Sequence, residues 1–483
     1  MQTTSRNFLR LTREALADRT LQGSLDGVRQ IMPEIRAAAL REMSDFDAAC
    51  DRAAEIRNTA IAGLDDYLQQ FEERVQASGG QVHWAATGEE ACEIVGRICS
   101  AAGAEKIIKS KSMVTEEIEL NAWLGDRQSG ERGFEVTETD LGEYIIQLRG
   151  EKPSHILAPS LHVTLEEVAE TFHAHHKLER QEPLSDPADM LREARQVLRD
   201  KFLTADVGIT GANFLIAETG GVVIVTNEGN ADLTACLPDT HIVVTGIEKV
   251  VPTLDDVGVL LRVLARSAIG ERLSNYTTFV QGPRRAGEQS GPENYHVVLL
   301  DNGRSKLLGT EFQDMLRCIR CSACLNHCPV YTAIGGHAYG SVYSGPMGAV
   351  LTPAFSGLSP AAHLPNASTF CGRCESVCPV RIPLPKMLRH WREREFSRKM
   401  SPSGQRIGLH WWRTLNRWPS VYRLTMRIAA IALRRFATTE TNGDAWIRRL
   451  PFMGAAWTQH RDMSAPARQS FQTQWRLRGG IEK

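Results

Sequence analysis

Short apolar runs alternate with amphipathic stretches from about residue 60 onward. The helical pattern over 62–78 stops at Gly79-Gly80, QVHWA (81–85) reads as a strand, a helix follows from about Glu89 to Ala102, and EKIIKS (105–110) reads as the next strand. The rhythm resumes with ADVGITGANFLIAETGGVVIVTN (205–227) and ends with HIVVTGIEKVV (241–251). Strands this short and apolar, alternating with helices, predict a parallel sheet covered by helices, with VVIVT and HIVVT as central strands. One α/β domain over 61–305 accommodates these elements. Ahead of it, residues 1–60 are rich in Ala, Arg, Glu and Leu, carry no Gly or Pro after Pro33, and predict an N-terminal helical segment.

From Lys306 the texture changes. EFQDMLRC (311–318) and LPKMLRHWREREF (384–396) read as helices, whereas GGHAYGSVYSGPMGAVLTPAFSGLSP (335–360), rich in Gly, Ser and Pro, is expected to wrap and shield. These features predict an α-helical module over 306–390 and a further region over 391–483.

The chemistry of that module lies in its cysteines. Seven of the chain's eleven fall in two runs: Cys318, Cys321, Cys324 and Cys328 before Pro329, then Cys371, Cys374 and Cys378 before Pro379. The first run is C-x2-C-x2-C-x3-C-P, in which three thiolates face one iron–sulfur cube and the fourth reaches another. Two residues between cysteines let a tight turn present three sulfurs to one side of the cube. The second run matches the second, third and fourth positions, with Ser368 at the first. Crossed ligation then predicts a 4Fe-4S cluster on Cys318, Cys321, Cys324 and Cys378. It predicts a second cluster, 4Fe-4S or 3Fe-4S, on Cys328, Cys371 and Cys374 with a non-cysteine ligand such as the Ser368 oxygen or solvent. An open iron there would offer Lewis-acid chemistry, while a relay cluster with one weak ligand is the plainer account. Zinc also binds C-x2-C pairs, but it takes two cysteines with two more rather than three evenly spaced ahead of Cys-Pro. Cys50, Cys92, Cys99 and Cys236 lack ligand spacing and read as structural thiols.

Charge divides the chain in a way its net of −1 conceals. Residues 381–483 hold 21 Lys/Arg against 6 Asp/Glu, leaving −16 for residues 1–380, and seven of the nine tryptophans (391, 411, 412, 418, 446, 457 and 475) fall in this basic tail. Arg and Trp are favoured interface anchors, so the tail reads as a docking element for an acidic partner or an anionic membrane. Nucleic acid is not indicated, since no helix-turn-helix, zinc-finger or RNA-binding signature is present. In VYRLTMRIAAIALRRF (421–436), Arg423, Arg427 and Arg434 lie along one side of a helix and Leu424, Ile428 and Ile431 along the other. Such a helix can lie on a membrane but, interrupted by Arg427 and Arg434, does not span one. The opening MQTTSRNFLRLTREALADRT is charged throughout and lacks an apolar signal region, which points to the cytoplasm, where thiols stay reduced.

Three segments of the α/β domain carry candidate ligand-binding residues. In KSKSMVTEEIELN, Ser112 or Thr115 is placed to cap a helix, with Glu116 and Glu117 in its first turn, and Lys109 and Lys111 beside it suit an anionic ligand such as a carboxylate or phosphate. TDLGEYIIQL sets Asp140 and Glu143 beside a turn glycine. ETGGVVIVTNEGNADL offers Glu218 and, at a strand's C-terminal end where open sheets bind ligands, the polar loop Asn227, Glu228, Gly229 and Asn230. No G-x-G-x-x-G after a strand and no Walker motif indicates a dinucleotide or ATP site.

Taken in order, SKSMVTEEIELN, TDLGEYIIQL, GITGANFLIAETGGVVIVTNEGN, GIEKVVPT, RCIRCSACLNHCPVY, GGHAYGSVY and CGRCESVCPV resemble the LutB or YkgF-type lactate utilization iron–sulfur family, from about residue 60 to 390. The basic tail resembles that family's C-terminal region. The resemblance implies an α/β (LUD) domain of the sugar-isomerase and CoA-transferase-like type, followed by an α-helical ferredoxin-type two-cluster domain. It implies a cytoplasmic subunit of a three-part system oxidising L-lactate to pyruvate, beside a cysteine-rich-domain protein and a cluster-free protein that shares the α/β domain. The family has the same three-cysteine second run, and its ligands carry over onto Cys318, Cys321, Cys324 and Cys378 for one cluster and Cys328, Cys371 and Cys374 for the other. Two functional readings follow. The chain is an electron-transfer subunit relaying through both clusters to an external acceptor; alternatively, the α/β domain is an acyl-transfer or isomerase-type enzyme using Glu228 or Glu218, with structural or regulatory clusters.

Overall fold

The computed structural model describes residues 3–126, 133–176, 184–439, 445–459 and 461–478, which gather into one unit ending at Ser397 and another beginning at Arg398. The apolar runs of the first unit become strands β1 (Gln81–Ala85), β2 (Lys106–Lys109), β3 (Glu135–Glu138), β4 (Val207–Thr210), β5 (Phe214–Ile216), β6 (Gly221–Thr226), β7 (Thr240–Gly246), β8 (Val250–Val251), β9 (Tyr276–Val280) and β10 (Asn294–Leu300). Six of them form a wholly parallel sheet in the order β1-β10-β7-β4-β2-β3.

Both faces of this sheet are covered, because successive side chains of a strand point to opposite sides. On one face Ile242, Val244, Val298 and Leu300 pack with Ala91, Val95 and Cys99 of helix Gly88–Ala101. On the other, Val243, Val297 and Leu299 pack with Leu68, Phe71 and Val75 of helix Leu64–Ala77. HIVVT is therefore central, as its composition predicts.

VVIVT lies elsewhere. It is β6, which pairs antiparallel with β5 and β9 in a second sheet ordered β8-β5-β6-β9. Gly220, at φ 71°, turns the chain between β5 and β6, and a link this short cannot make the long crossover that parallel neighbours need.

Two further expectations change. Within the Gly- and Pro-rich interval, Gly345–Ser356 forms a largely buried helix with Pro346 in its first turn, where a missing N–H costs nothing, and Met347, Val350 and Leu351 in the core. The N-terminal helices also do not stand apart. In helix Arg19–Arg41, Gln22 donates to the carbonyl of Ala333 (2.9 Å), Arg29 to that of Thr332 (3.0 Å) and Arg36 to that of Val377 (3.1 Å), so the helix straps the cysteine-bearing module. Helix Phe46–Ala62 reaches the α/β domain and the module together. Its buried Arg57 donates to the carbonyls of Val250 (2.8 Å), Leu316 (2.9 Å) and Glu248.

Helix Leu384–Ser397 runs through the expected boundary at 390/391. It carries Trp391 inward, where the ring stacks on Phe312 at 4.2 Å between centroids and Nε1 donates to the Val350 carbonyl (3.1 Å). Trp391 is thus core rather than part of a docking tail. In the second unit, helices Ser403–Asn416 and Pro419–Arg434 bury no residue of their own. Among the described residues no helix is long and apolar enough to cross a membrane.

Candidate iron–sulfur site

The two cysteine runs adopt the same local conformation. Arg320 and Ser322, flanking Cys321, have φ of 60° and 61°; Phe370 and Gly372, flanking Cys371, have φ of 54° and 78°. Left-handed backbone is costly for side chains other than glycine, and it is tolerated where it turns amides or side chains toward one point. A single helical turn follows in each case, Ala323–Asn326 and Arg373–Ser376, ending at the Cys-Pro pairs. Each closing sulfur accepts from a backbone N–H just beyond it: Cys328 from Tyr331, three residues on (3.5 Å), and Cys378 from Ile382, four residues on (3.4 Å).

These loops bring Cys318, Cys321 and Cys324 of the first run and Cys378 of the second onto one small cavity, closed by apolar side chains including Ile319, Met347 and Leu384. Burial raises the pKa of three of these thiols: Cys378 is pushed up to about 11, and Cys321 and Cys324 are raised further by burial and by neighbouring cysteines. The other three cysteines also come within electrostatic reach of one another. Burial and then Cys328 and Cys371 push Cys374 up to about 12. Cys371 is exposed, and the Arg373 N–H and the Thr369 hydroxyl lower its thiol.

Four soft thiolate donors on an apolar wall suit an iron–sulfur cluster. Among the described residues no three Cys, His, Asp or Glu converge tightly enough to hold a single ion. A polynuclear cluster instead takes its thiolates at separate irons. Ser368 stands three residues before Cys371, as Cys318 stands before Cys321. It is half-buried, and its Oγ accepts from the Phe370 N–H (3.1 Å).

Behind Cys318 lies a buried charge network. Arg304 donates to both oxygens of Glu117 (3.0 and 2.8 Å) and through Nε to Glu248 (2.6 Å). Tyr343 donates its hydroxyl to Glu117 (2.6 Å), Arg320 lies 3.6 Å from Glu248, and the Arg320 guanidinium sits 4.6 Å from the Tyr343 ring centroid. With Arg57 and Lys249, both also fully buried, four cations meet two carboxylates. Burial would raise the Glu248 carboxyl, but Arg304, Arg320 and Lys249 hold it down at about 2. Lys249 is pushed down to about 8 by burial and by Arg320, against the pull of Glu248 and Cys318. Of these four cations, Arg320 lines the cysteine cavity.

Comparison with known proteins now decides the family. A model of the LUD domain matches residues 68–300, and a model of the 4Fe-4S dicluster domain matches residues 314–382. Lactate utilization protein B of Geobacillus kaustophilus is 43% identical over 98% of this chain and 98% of its own. The protein of the same name from Bacillus pumilus is 42% identical over 96% of each, and that from Shouchella clausii 40% identical over 98% of this chain and 97% of its own. The chain belongs to the lactate utilization protein B family. A solved DUF162 family protein from Deinococcus radiodurans is 17% identical with a TM-score of 0.25, covering 49% of this chain and 98% of its own.

In this lactate utilization protein B homologue, the three candidate segments of the α/β domain meet only in part. Lys109 is fully buried and paired with Glu138 (2.7 Å) and Glu116 (3.3 Å), and Lys111 is paired with Glu143 (2.8 Å). Both ammonium groups are committed to internal carboxylates, so the expected anion site does not form. Ser112 caps the short helix Met113–Glu117, and Asp140 caps Leu141–Leu148, which places Gly142 inside a helix rather than a turn. Glu143 is raised well above the usual carboxyl range by burial despite Lys111. Asp140 is lowered: burial opposes, but a hydrogen bond from Glu143, Lys111 and two backbone N–H groups prevail. Glu228 joins this group, raised by burial and by Asp140 while the Leu141 N–H opposes. Glu218 does not. It accepts from the Leu254 N–H (3.1 Å) at the start of helix Leu254–Ala268.

The charge network escaped the sequence reading, although one signal was available. Glu248 and Lys249 interrupt an otherwise apolar run, GIEKVV, directly after a central strand, and charges so placed are buried and paired. Arg57, Glu117, Arg304 and Tyr343 are remote in sequence and carry no such mark.

Proposed function

We propose that the chain is the iron–sulfur electron-transfer subunit of an L-lactate-oxidising system, relaying electrons through two cubane-type clusters to an acceptor outside the chain. In this reading Cys318, Cys321, Cys324 and Cys378 hold a four-iron cluster. Cys328, Cys371 and Cys374, with Ser368 oxygen or solvent, hold a second of three or four irons. The observation that carries the reading is the single cavity lined by cysteines from both runs. Interlaced ligation makes the two clusters neighbours, which is what a relay requires.

Bound clusters supply one-electron chemistry. The chain's residues exclude water from the first cluster, place Arg320 beside it, and leave Cys371 of the second at the surface within a partner's reach. The matched segments 68–300 and 314–382 support a division into an α/β domain over 61–305 and a cluster domain over 306–390. The names of the relatives support lactate as the fuel. The partners implied are a cysteine-rich-domain protein and a cluster-free protein with the same α/β domain.

The test is anaerobic purification, iron and sulfide counting, and electron paramagnetic resonance, followed by lactate oxidation with an artificial acceptor, first with the chain alone and then with both partners. Colourless, iron-poor preparations would sink the proposal. So would a Cys321→Ala chain that still assembles and supports full lactate oxidation.

One observation favours the second reading, an acyl-transfer or isomerase-type activity in the α/β domain. Asp140 and Glu143 are hydrogen-bonded and shifted in opposite directions, with Glu228 alongside, and such a split suits an acid and a base. Lactate-independent acyl transfer by the full chain, abolished by Glu228→Gln, would favour it over the relay.

A further inference from the structure

Helices Ser403–Asn416 and Pro419–Arg434 pack against one another, joined by Arg417 and Trp418, yet neither buries a residue. Isolated helices of this length are marginal in water, so a pair with no core of its own needs an apolar surface from outside. What it presents is apolar: Ile407 and Trp411 in the first helix and Val421, Leu424, Ile428 and Ile431 in the second are all exposed, Trp411 by 64% and Ile431 by 62%. The spacing puts Ile407 and Trp411 on one face of the first helix and Val421, Leu424, Ile428 and Ile431 on one face of the second.

Charge selects among possible occupants. Residues 396–439 contain nine Lys or Arg and no Asp or Glu. Arg406 and Arg413 lie off the apolar face of the first helix, and Arg423 and Arg427 off that of the second, where long side chains can lay their stems along apolar surface and raise their charges to a polar boundary. Trp411, Trp412 and Trp418 gather toward the join between the helices, and tryptophan concentrates where hydrocarbon meets headgroups. Clustered cations of one sign beside an apolar stripe suit an anionic leaflet, whose surface potential attracts them.

We infer that this helical hairpin lies in the interface of an anionic phospholipid leaflet, its apolar faces among the upper acyl chains and its arginines at the phosphates. Neither helix is long enough to cross, so the contact is peripheral and reversible.

The experiment uses the full chain, prepared anaerobically with its clusters, and sedimentation with phosphatidylglycerol–phosphatidylcholine vesicles beside pure phosphatidylcholine vesicles. Binding is expected on the anionic vesicles only and to weaken with salt. The double variant Arg423→Gln, Arg427→Gln is expected to lose about thirtyfold in partition, from about one kcal/mol per cation near such a surface. Trp411→Ser with Ile428→Ser is expected to lose at least as much, with the cluster spectra unchanged. As a check that needs no variant, brominated acyl chains should quench the tryptophan fluorescence of the unaltered chain. Absence of binding to anionic vesicles, equal binding to neutral ones, no quenching, or variants that bind anionic vesicles as the unaltered chain does would each overturn the inference.

Discussion

Arg304 grips Glu117 through two hydrogen bonds, of 2.8 and 3.0 Å, with both side chains fully withdrawn from solvent. The pair joins the segment after β10 to the helix after β2. Tyr343 of the cluster module and Glu248 after β7 close on the same two side chains. Removing one partner of a buried pair leaves the other charge unpaired, so Arg304→Met is expected to destabilise the first unit by about 3–5 kcal/mol. Denaturant unfolding of the variant beside the parent checks this. A loss within error of zero would mean that water reaches the network.

Arg320 is placed for a different effect. It lies between Cys318 and Cys321 and lines their cavity, held by Glu248 at 3.6 Å and by the Tyr343 ring. Reduction adds negative charge to a cluster, and a nearby cation favours that state. Arg320→Gln is therefore expected to lower the reduction potential of the first cluster, on the order of tens of millivolts, and to leave the second nearly unchanged. A redox titration followed by electron paramagnetic resonance reads both. An unchanged or raised potential would show that Arg320 does not set the field at the first cluster.

The meeting of cysteines from both runs on one cavity and the helix–strand order of the α/β domain were readable because each rests on local spacing: a C-x2-C-x2-C-x3-C-P run, a Gly-Gly stop, an apolar pentamer. HIVVT was placed correctly by composition alone. VVIVT has nearly the same composition, and what separates them is the short ETGG link, which dictates a hairpin rather than a crossover. Lys109 and Lys111 looked free because their carboxylate partners, Glu138 and Glu143, lie on the next strand and helix. The network around Arg304 gathers residues from Arg57 to Tyr343, and no window of sequence contains it.

Buried histidines give the first unit an acid-sensitive range of its own. His155 Nδ1 accepts from the Leu157 and Ala158 N–H groups (3.0 and 3.2 Å), leaving Nε2 to face Asn326 Oδ1 (2.9 Å), and burial lowers the ring to about 4. His241, beside the Thr210 hydroxyl, is lowered by burial to about 3. From the ordinary value of 6.5 downward, the unfolded chain takes up these protons and the folded chain does not. Stability is therefore fully present above about pH 6.5. It falls as pH drops toward 4 for His155 and 3 for His241, by at most about 1.4 kcal/mol per pH unit for each ring. Glu248, lowered to about 2, adds a loss only below its ordinary value of 4.5. Unfolding midpoints between about pH 7 and pH 5 should fall, and less steeply in His155→Gln. A flat profile over that range would contradict the neutral assignment.

The last prediction concerns Ser368. The two runs share their left-handed residues, their single helical turns and their Cys-Pro ends, so the first run serves as a template for the second. On that template Ser368 occupies the place of Cys318, and its Oγ, bonded to the Phe370 N–H, already lies inside the loop. Ser368→Cys is expected to give the second cluster a fourth thiolate, bringing the chain to about eight irons. The paramagnetic signal of the second cluster should change while that of the first, proposed on Cys318, Cys321, Cys324 and Cys378, does not. The partner oxidation rate with lactate separates two roles for the serine. A rate that survives the substitution marks a relay centre in which Ser368 only tunes potential. A rate that collapses while both clusters remain reducible marks an iron that must stay open. If neither signal changes and the iron count is unaltered, Ser368 does not stand at a ligand position and the internal repeat fails as a template.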